Sequence, residues 1–216
     1  MAAVDPSPLE PALAPPDQHL IRETLKTKLP FRGELAQLIP LAGDASNRRY
    51  FRIELAGGSP RSLVLMQLAN PEPFKQSEEA VSRTDLTIPE LPFVNIHRHL
   101  AKSDVAVPAL YHYDQSAGLL YLEDFGDLTM TQACQNGEIG YVRSLYRQAI
   151  DGLIHIQVNS TRPADPSCLA FHRSFDVPLL MWEFDHFLEY GVVARSGKPM
   201  CAEDFEAVRA ELLKIA

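Results

Sequence analysis

The densest concentration of chemically useful residues runs from Leu38 to Leu55, LIPLAGDASNRRYFRIEL. An apolar arm (Leu38, Ile39, Leu41) leads into a turn of small and polar residues, Gly43, Asp44, Ala45, Ser46 and Asn47, after which Arg48 and Arg49 open a second arm. Side chains this small let successive backbone N–H groups approach an anion closely, and adjacent guanidinium groups add fixed positive charge. The pattern suits a cover over the phosphates of a nucleotide. The plainer alternative is an ordinary hairpin with a solvated basic end.

Other chemistries lack their signatures. Neither the GxSxG turn of serine hydrolases nor the GxxxxGK[ST] phosphate loop occurs in the sequence, and Gly191 to Lys198 reads as a turn. His97 and His99 are two apart, poor spacing for a metal on one helix face, and read as surface or capping residues. Cys134, Cys168 and Cys201 are widely spaced and form no CxxC pair, as expected of reduced thiols rather than a disulfide framework or zinc site.

The elements that must carry these residues follow from periodicity. In the second arm Phe51, Ile53 and Leu55 alternate with Tyr50, Arg52 and Glu54, the period-2 pattern of a half-buried strand. Ser62 to Leu68 is a nearly continuous apolar run, the signature of a central strand covered on both faces. Upstream, Asp17 can cap a helix reaching about Leu29, with Leu20, Ile21, Leu25 and Leu29 on one face and Pro30 as its stop. Residues 1–16, rich in Pro and Ala, read as a flexible tail. Ala69 to Glu90 reads as a long connection with one helical turn, and Leu91 to Lys102 as a helix. Val105 to Tyr113 and Gly118 to Glu123 read as strands around a turn at Asp114-Gln115-Ser116-Ala117. From Asp127 onward the pattern is helical, with segments at Val142–Val158, Phe175–Tyr190 and Ala202–Ile215, the last capped by Glu203 and Asp204. The expected class is therefore α+β: a five-stranded antiparallel sheet with one inserted helix, then a helical region. It divides into an N-lobe over 17–123, a crossing at 124–127 and a partial helical lobe over 128–216.

Bulk properties narrow the partners. The 216 residues are 46% hydrophobic and 22% charged, enough to bury a real core. The net charge of −8 argues against nucleic acid or an anionic membrane as partner. No apolar run approaches the roughly 18–20 residues of a membrane span, and no secretory signal opens the sequence. A cytoplasmic location is the expectation.

The order of elements, with LAGDASNRRYFR early and LEDFGD at the crossing, resembles the aminoglycoside phosphotransferase and choline-kinase-like family, above all its bacterial branch of anomeric N-acetylmuramate and N-acetylglucosamine kinases of peptidoglycan recycling. The resemblance runs from about Gln18 to the C-terminus and implies a protein-kinase-like fold, ATP and Mg²⁺ as cofactors and a small sugar as acceptor. It implies that Gly43, Asp44, Ala45, Ser46 and Asn47 form the phosphate-covering loop, with Arg48 and Arg49 beside the phosphates. Val64 and Leu122 would sandwich the adenine ring, and Glu123, Asp124 and Phe125 would meet its edge through the backbone. Glu183 and Asp185, in the segment Leu180 to Tyr190, become candidate sugar contacts. Trp182, Phe184 and Phe187 there read as core.

Two departures stand against the family pattern. Met66 occupies the third-strand position where kinase-like proteins usually carry lysine, and a thioether supplies no charge. Arg48 or Arg49 is then the candidate replacement. Phosphoryl transfer also needs a carboxylate to orient the acceptor and groups to hold Mg²⁺, which the family takes from an H-x-D-x-x-x-x-N loop. His112-Tyr113-Asp114 and Asp124-Phe125-Gly126 mimic these triplets, but Leu119 stands where asparagine should be, the two aspartates are ten residues apart, and both precede the helical region. His112 reads as a strand residue and Asp114 as a turn former. His19, His97, His99, His155, His172 and His186 all lack an aspartate two residues on, so no catalytic or metal residue is assigned, and the chain is expected to stop short of the catalytic loop. Three readings remain open: the nucleotide lobe of a sugar kinase, a non-catalytic nucleotide-binding or interaction module of the same fold, and an unrelated α+β domain.

Overall fold

A computed structural model describes residues 14–42, 48–68, 90–172 and 174–216. The tail before residue 14, the turn Gly43–Asn47 and nearly all of the Ala69–Glu90 connection lie outside the described residues. The chain divides into two compact units, Met1–Glu72 with Val107–Gln148, and Pro73–Ala106 with Ala149–Ala216.

The first unit is built on a five-stranded antiparallel sheet, β1 (Glu34–Pro40), β2 (Arg49–Ala56), β3 (Ser62–Gln67), β4 (Leu110–Asp114) and β5 (Leu119–Glu123), in the spatial order β1-β2-β3-β5-β4. The apolar run of β3 thus lies at the centre, as its composition requires. β1 begins at Glu34, earlier than the apolar triplet suggests, and carries a register shift between Leu35 and Gln37. β4 begins at Leu110 rather than Val105, after Pro108, which has no N–H to give a ladder. Asp114 closes the β4–β5 turn by accepting from Ser116 Oγ at 2.7 Å and the Ala117 amide at 3.0 Å. The β2–β3 connection requires glycine at Gly58, where φ is +93° and a Cβ would lie 2.4 Å from the Arg32 carbonyl oxygen.

Alternation gives the sheet two different faces. On one, Phe51, Ile53, Leu63, Leu65, Leu119 and Tyr121 meet Ile21 and Leu25 of helix α1 (Gln18–Thr27), all buried. Each side chain of this size contributes about 1.5–3 kcal/mol by leaving water. Asp17 caps α1, its side chain accepting from the His19 amide at 2.8 Å. The opposite face carries Arg52, Val64 and Leu122 in one cross-strand row and Tyr50, Met66 and Leu120 in the next, with Met66 and Leu120 fully buried. After β5, helix α3 (Met130–Asn136) starts at a capping box in which Thr129 and Gln132 exchange hydrogen bonds. α4 (Ile139–Asn159) follows with no buried residue along its length.

The second unit is helical. In α2 (Pro92–Lys102) the buried Asn95 side chain donates to the Ser167 carbonyl and accepts from the Leu169 amide, fastening the 3-10 turn Leu169–His172. His99 is no surface residue: its Nε2 lies 2.7 Å from the Ser160 carbonyl oxygen, and its ring packs edge-on to Phe171. α5 (Val177–His186) is capped by Asp176 and runs into a π-helical stretch, Phe187–Val193, which α6 (Ala194–Ser196) closes at Gly197. The N-cap of α7 (Ala202–Ile215) is Cys201, whose Sγ accepts from the Asp204 amide. Glu203 and Asp204 sit within the first turn instead, where the helix dipole favours acidic residues.

Candidate functional site

An open cleft of about 440 Å³ lies on the Arg52–Val64–Leu122 face of the first unit. This is within the range of small-ligand sites. Its walls are Leu41 and Ala42 just after β1, Val64 of β3, Leu122 of β5 and Pro108, and its rim is Glu123 to Asp127 with Thr129. The alternation of β3 and β5 accounts for the apolar pair, because Val64 and Leu122 are directly opposed across the ladder. Five residues expected to meet a nucleobase, Val64, Leu122, Glu123, Asp124 and Phe125, therefore converge on one cavity. Phe125 is 68% exposed at its mouth.

Arg52 organises the rim and was not singled out from sequence. Its Nε donates to Asp124 Oδ2 at 2.6 Å and its Nη2 to Asp124 Oδ1 at 3.1 Å, a bidentate pair. The same guanidinium reaches Asp127 through Nη1 at 2.9 Å and Nη2 at 2.9 Å. Asp124 Oδ1 also accepts from the Gly126 amide at 2.8 Å, closing a turn in which Gly126 takes φ +79°. The Asp124 side chain is 3% exposed and that of Asp127 80%. Burial pushes the Asp124 carboxyl up, but hydrogen bonds from Arg52, Ser62 and the Gly126 amide, with the charge of Arg52, outweigh it and leave the group below its ordinary range. Asp124 first and Asp127 second hold the Arg52 guanidinium above its own ordinary value.

Glu123 is tied into the sheet. Its amide donates to the Ala109 carbonyl at 2.9 Å, and its carboxylate accepts from the Ala109 amide at 3.0 Å. Its N–H is consequently engaged and is no donor for a ligand. Arg49 alternates with Phe51 onto the core side of β2, its guanidinium 5.1 Å from that ring, whereas Arg52 faces the cleft. The turn residues Gly43, Asp44, Ala45, Ser46 and Asn47 lie outside the described residues. Glu183 and Asp185 belong to the second unit, where Glu183 is exposed and Asp185 receives Arg209 through Nε at 3.0 Å and Nη2 at 3.3 Å. Phe187 is 56% exposed, against the expectation of core, because the π-helical stretch turns it outward while Leu188 is buried. Among the described residues no group of three or more His, Cys, Asp or Glu side chains is arranged to hold a metal ion.

Fold and cleft together define an α+β protein with an antiparallel sheet that offers an apolar slot edged by a charged turn. No protein-family model matches the chain. It is similar to the N-acetylmuramate/N-acetylglucosamine kinase of Pseudomonas aeruginosa, 34% identical over 122 residues, which are 56% of this chain and 30% of that protein. It is also similar to the protein of the same name from Pseudomonas putida, 31% identical over 155 residues, 72% of this chain and 38% of that protein. The matches cover about a third of the length of these relatives. The chain is thus related in sequence to sugar kinases.

Proposed function

We propose that the chain is the nucleotide-binding portion of an ATP-dependent kinase of the aminoglycoside phosphotransferase type, with a protein-kinase-like fold and an amino sugar as acceptor. The observation that carries the reading is the cleft. Val64 and Leu122 are cross-strand neighbours on the sheet face that lines it, beside the turn Glu123 to Asp127 at its rim, in a chain related to sugar kinases. Val64 and Leu122, side by side on one sheet face, would form one apolar wall against adenine rather than both sides of a sandwich, and the Phe125 amide would donate to its edge, since the Glu123 amide is engaged. Leu41 and Ala42 lead directly into 43–47, so the phosphates would extend toward that segment and Arg48. Arg49 starts on the other face of β2 and is the weaker candidate for phosphate charge.

The acceptor would be N-acetylmuramate or N-acetylglucosamine, released in the cytoplasm during cell-wall recycling, with Glu183 and Asp185 as its contacts. Mg²⁺, when bound, would neutralise phosphate charge, but it has no ligand set among the described residues. The H-x-D-x-x-x-x-N loop is absent from the sequence. That absence favours a second reading alongside the first: the chain by itself binds nucleotide without turnover.

Calorimetric titration of ATP into the 216-residue chain tests both. Saturable binding that is lost in Val64→Phe, with the melting temperature retained, supports the site. A chain that takes up no nucleotide overturns it.

A further inference from the structure

Two ends of one turn converge on a single side chain at the cleft. Asp124 leaves β5 and Asp127 lies three residues further on, and the Arg52 guanidinium bridges them with three hydrogen bonds and one further ion-pair contact. Such an arrangement is more than a surface ion pair, because Asp124 is nearly inaccessible and a buried carboxylate without partners is costly. Nε, Nη1 and Nη2 of Arg52 each donate to one of these two carboxylates, so the guanidinium is committed to the turn. The segment it holds, Asp124 to Asp127, is the one the proposed function assigns to the edge of the nucleobase.

We propose that Arg52 is a positioning residue that pre-forms the ligand-binding turn of the cleft by clamping Asp124 and Asp127 together. The inference rests on the nucleotide reading for its ligand, but the clamp itself does not depend on it. Without Arg52 the turn keeps its Asp124–Gly126 hydrogen bond yet loses the tie between its ends. The Phe125 amide then samples many directions, and ordering it becomes part of the cost of binding. Position 52 suits this task because β2 is held between β1 and β3 and its side chain lies in the same cross-strand row as Val64 and Leu122. Substitution there changes the turn and leaves the apolar slot in place.

The experiment is amide hydrogen exchange over residues 119–130, followed with and without a non-hydrolysable ATP analogue, in the wild-type chain and in Arg52→Ala, Arg52→Lys and Asp127→Ala. Loss of charge-assisted bonds in Arg52→Ala should speed exchange at 124–127 and weaken the analogue by about tenfold or more. Residues 119–122 should be unaltered. Arg52→Lys, which keeps the charge but not the fork, should recover part of both effects. Asp127→Ala removes only an exposed partner and leaves the fold secure if Arg52→Ala does not fold; an effect of about twofold to fivefold on the turn is expected. Unchanged exchange at 124–127 in every folded variant overturns the clamp, as does unchanged affinity for the analogue. A wild-type chain that ignores the analogue overturns the nucleotide reading instead, while exchange in the free protein still decides the clamp.

Discussion

The Arg52–Asp124 pair links the protonation of a single carboxylate at the cleft to the stability of the fold. Asp124 is held below the 3.8 of an ordinary aspartate by Arg52, Ser62 and the Gly126 amide. A group depressed in the folded state binds fewer protons there than in the unfolded chain. Its stabilisation is therefore complete above pH 3.8 and is lost as pH falls through the lower folded value. Asp124→Asn should flatten the acid limb of a stability–pH curve below about pH 3.9, and an unchanged limb would show that Asp124 contributes nothing to it. The sequence pointed to Val64, Leu122 and Glu123 to Phe125 only through the family resemblance, because strand alternation does not say which apolar side chains will line a cleft. It hid the role of Arg52, whose partners lie 72 and 75 residues away; period 2 placed this arginine on a solvated face and could not say which acids would meet it. Cys201 was hidden for a different reason. A thiol is a weak acceptor, and Glu203 and Asp204, in the first turn, presented a stronger capping signal.

At the scale of elements, the α1-to-sheet layer is the part of the fold that composition determined most completely. Asp17, the Ile21/Leu25 pair and the alternation of β2 all read correctly because cap, helix face and strand face each obey a local period. Their packing makes a direct prediction. Leu65→Ala, at a fully buried position beneath α1, should destabilise the first unit by about 2–5 kcal/mol in urea unfolding. In the second unit Asn95 does comparable work with polar atoms, joining α2 to Ser167 and Leu169. Asn95→Ala should leave the Leu169 amide without its partner and cost about 1–3 kcal/mol, seen as faster exchange at 167–171; an exchange pattern like that of wild type would contradict this. Strand ends were less legible. β1 and β4 both begin away from the expected residue, because a register shift and a proline decide where a ladder starts and neither shows up in hydrophobic alternation.

Over the whole molecule, apolar surface is unevenly covered. α4 leaves Ile139, Tyr146, Ile150, Leu153, Ile154 and Val158 each more than half exposed, although the segment carries a helical apolar pattern that normally faces a core. Periodicity reveals which side of a helix is apolar and not what lies against it. Replacing Ile150 and Leu153 with lysine should accordingly alter stability by no more than about 0.5 kcal/mol each, while lowering the binding of a hydrophobic dye. A large loss of stability would mean that this side is covered in solution. The net charge of −8 sets a second global condition: an anionic ligand approaches against the mean field, so local positive charge and an apolar slot must supply its affinity.

Titration of ATP into the purified chain addresses the central claim most directly, since it asks whether the cleft lined by Val64 and Leu122 accepts a nucleotide. The account predicts one saturable site per chain, lost in Val64→Phe and weakened in Arg52→Ala, with no phosphate released by the chain alone. Absence of any heat or protection on adding ATP, in a chain that melts cooperatively, would contradict it and leave the hairpin and cleft as features of an α+β domain with another purpose.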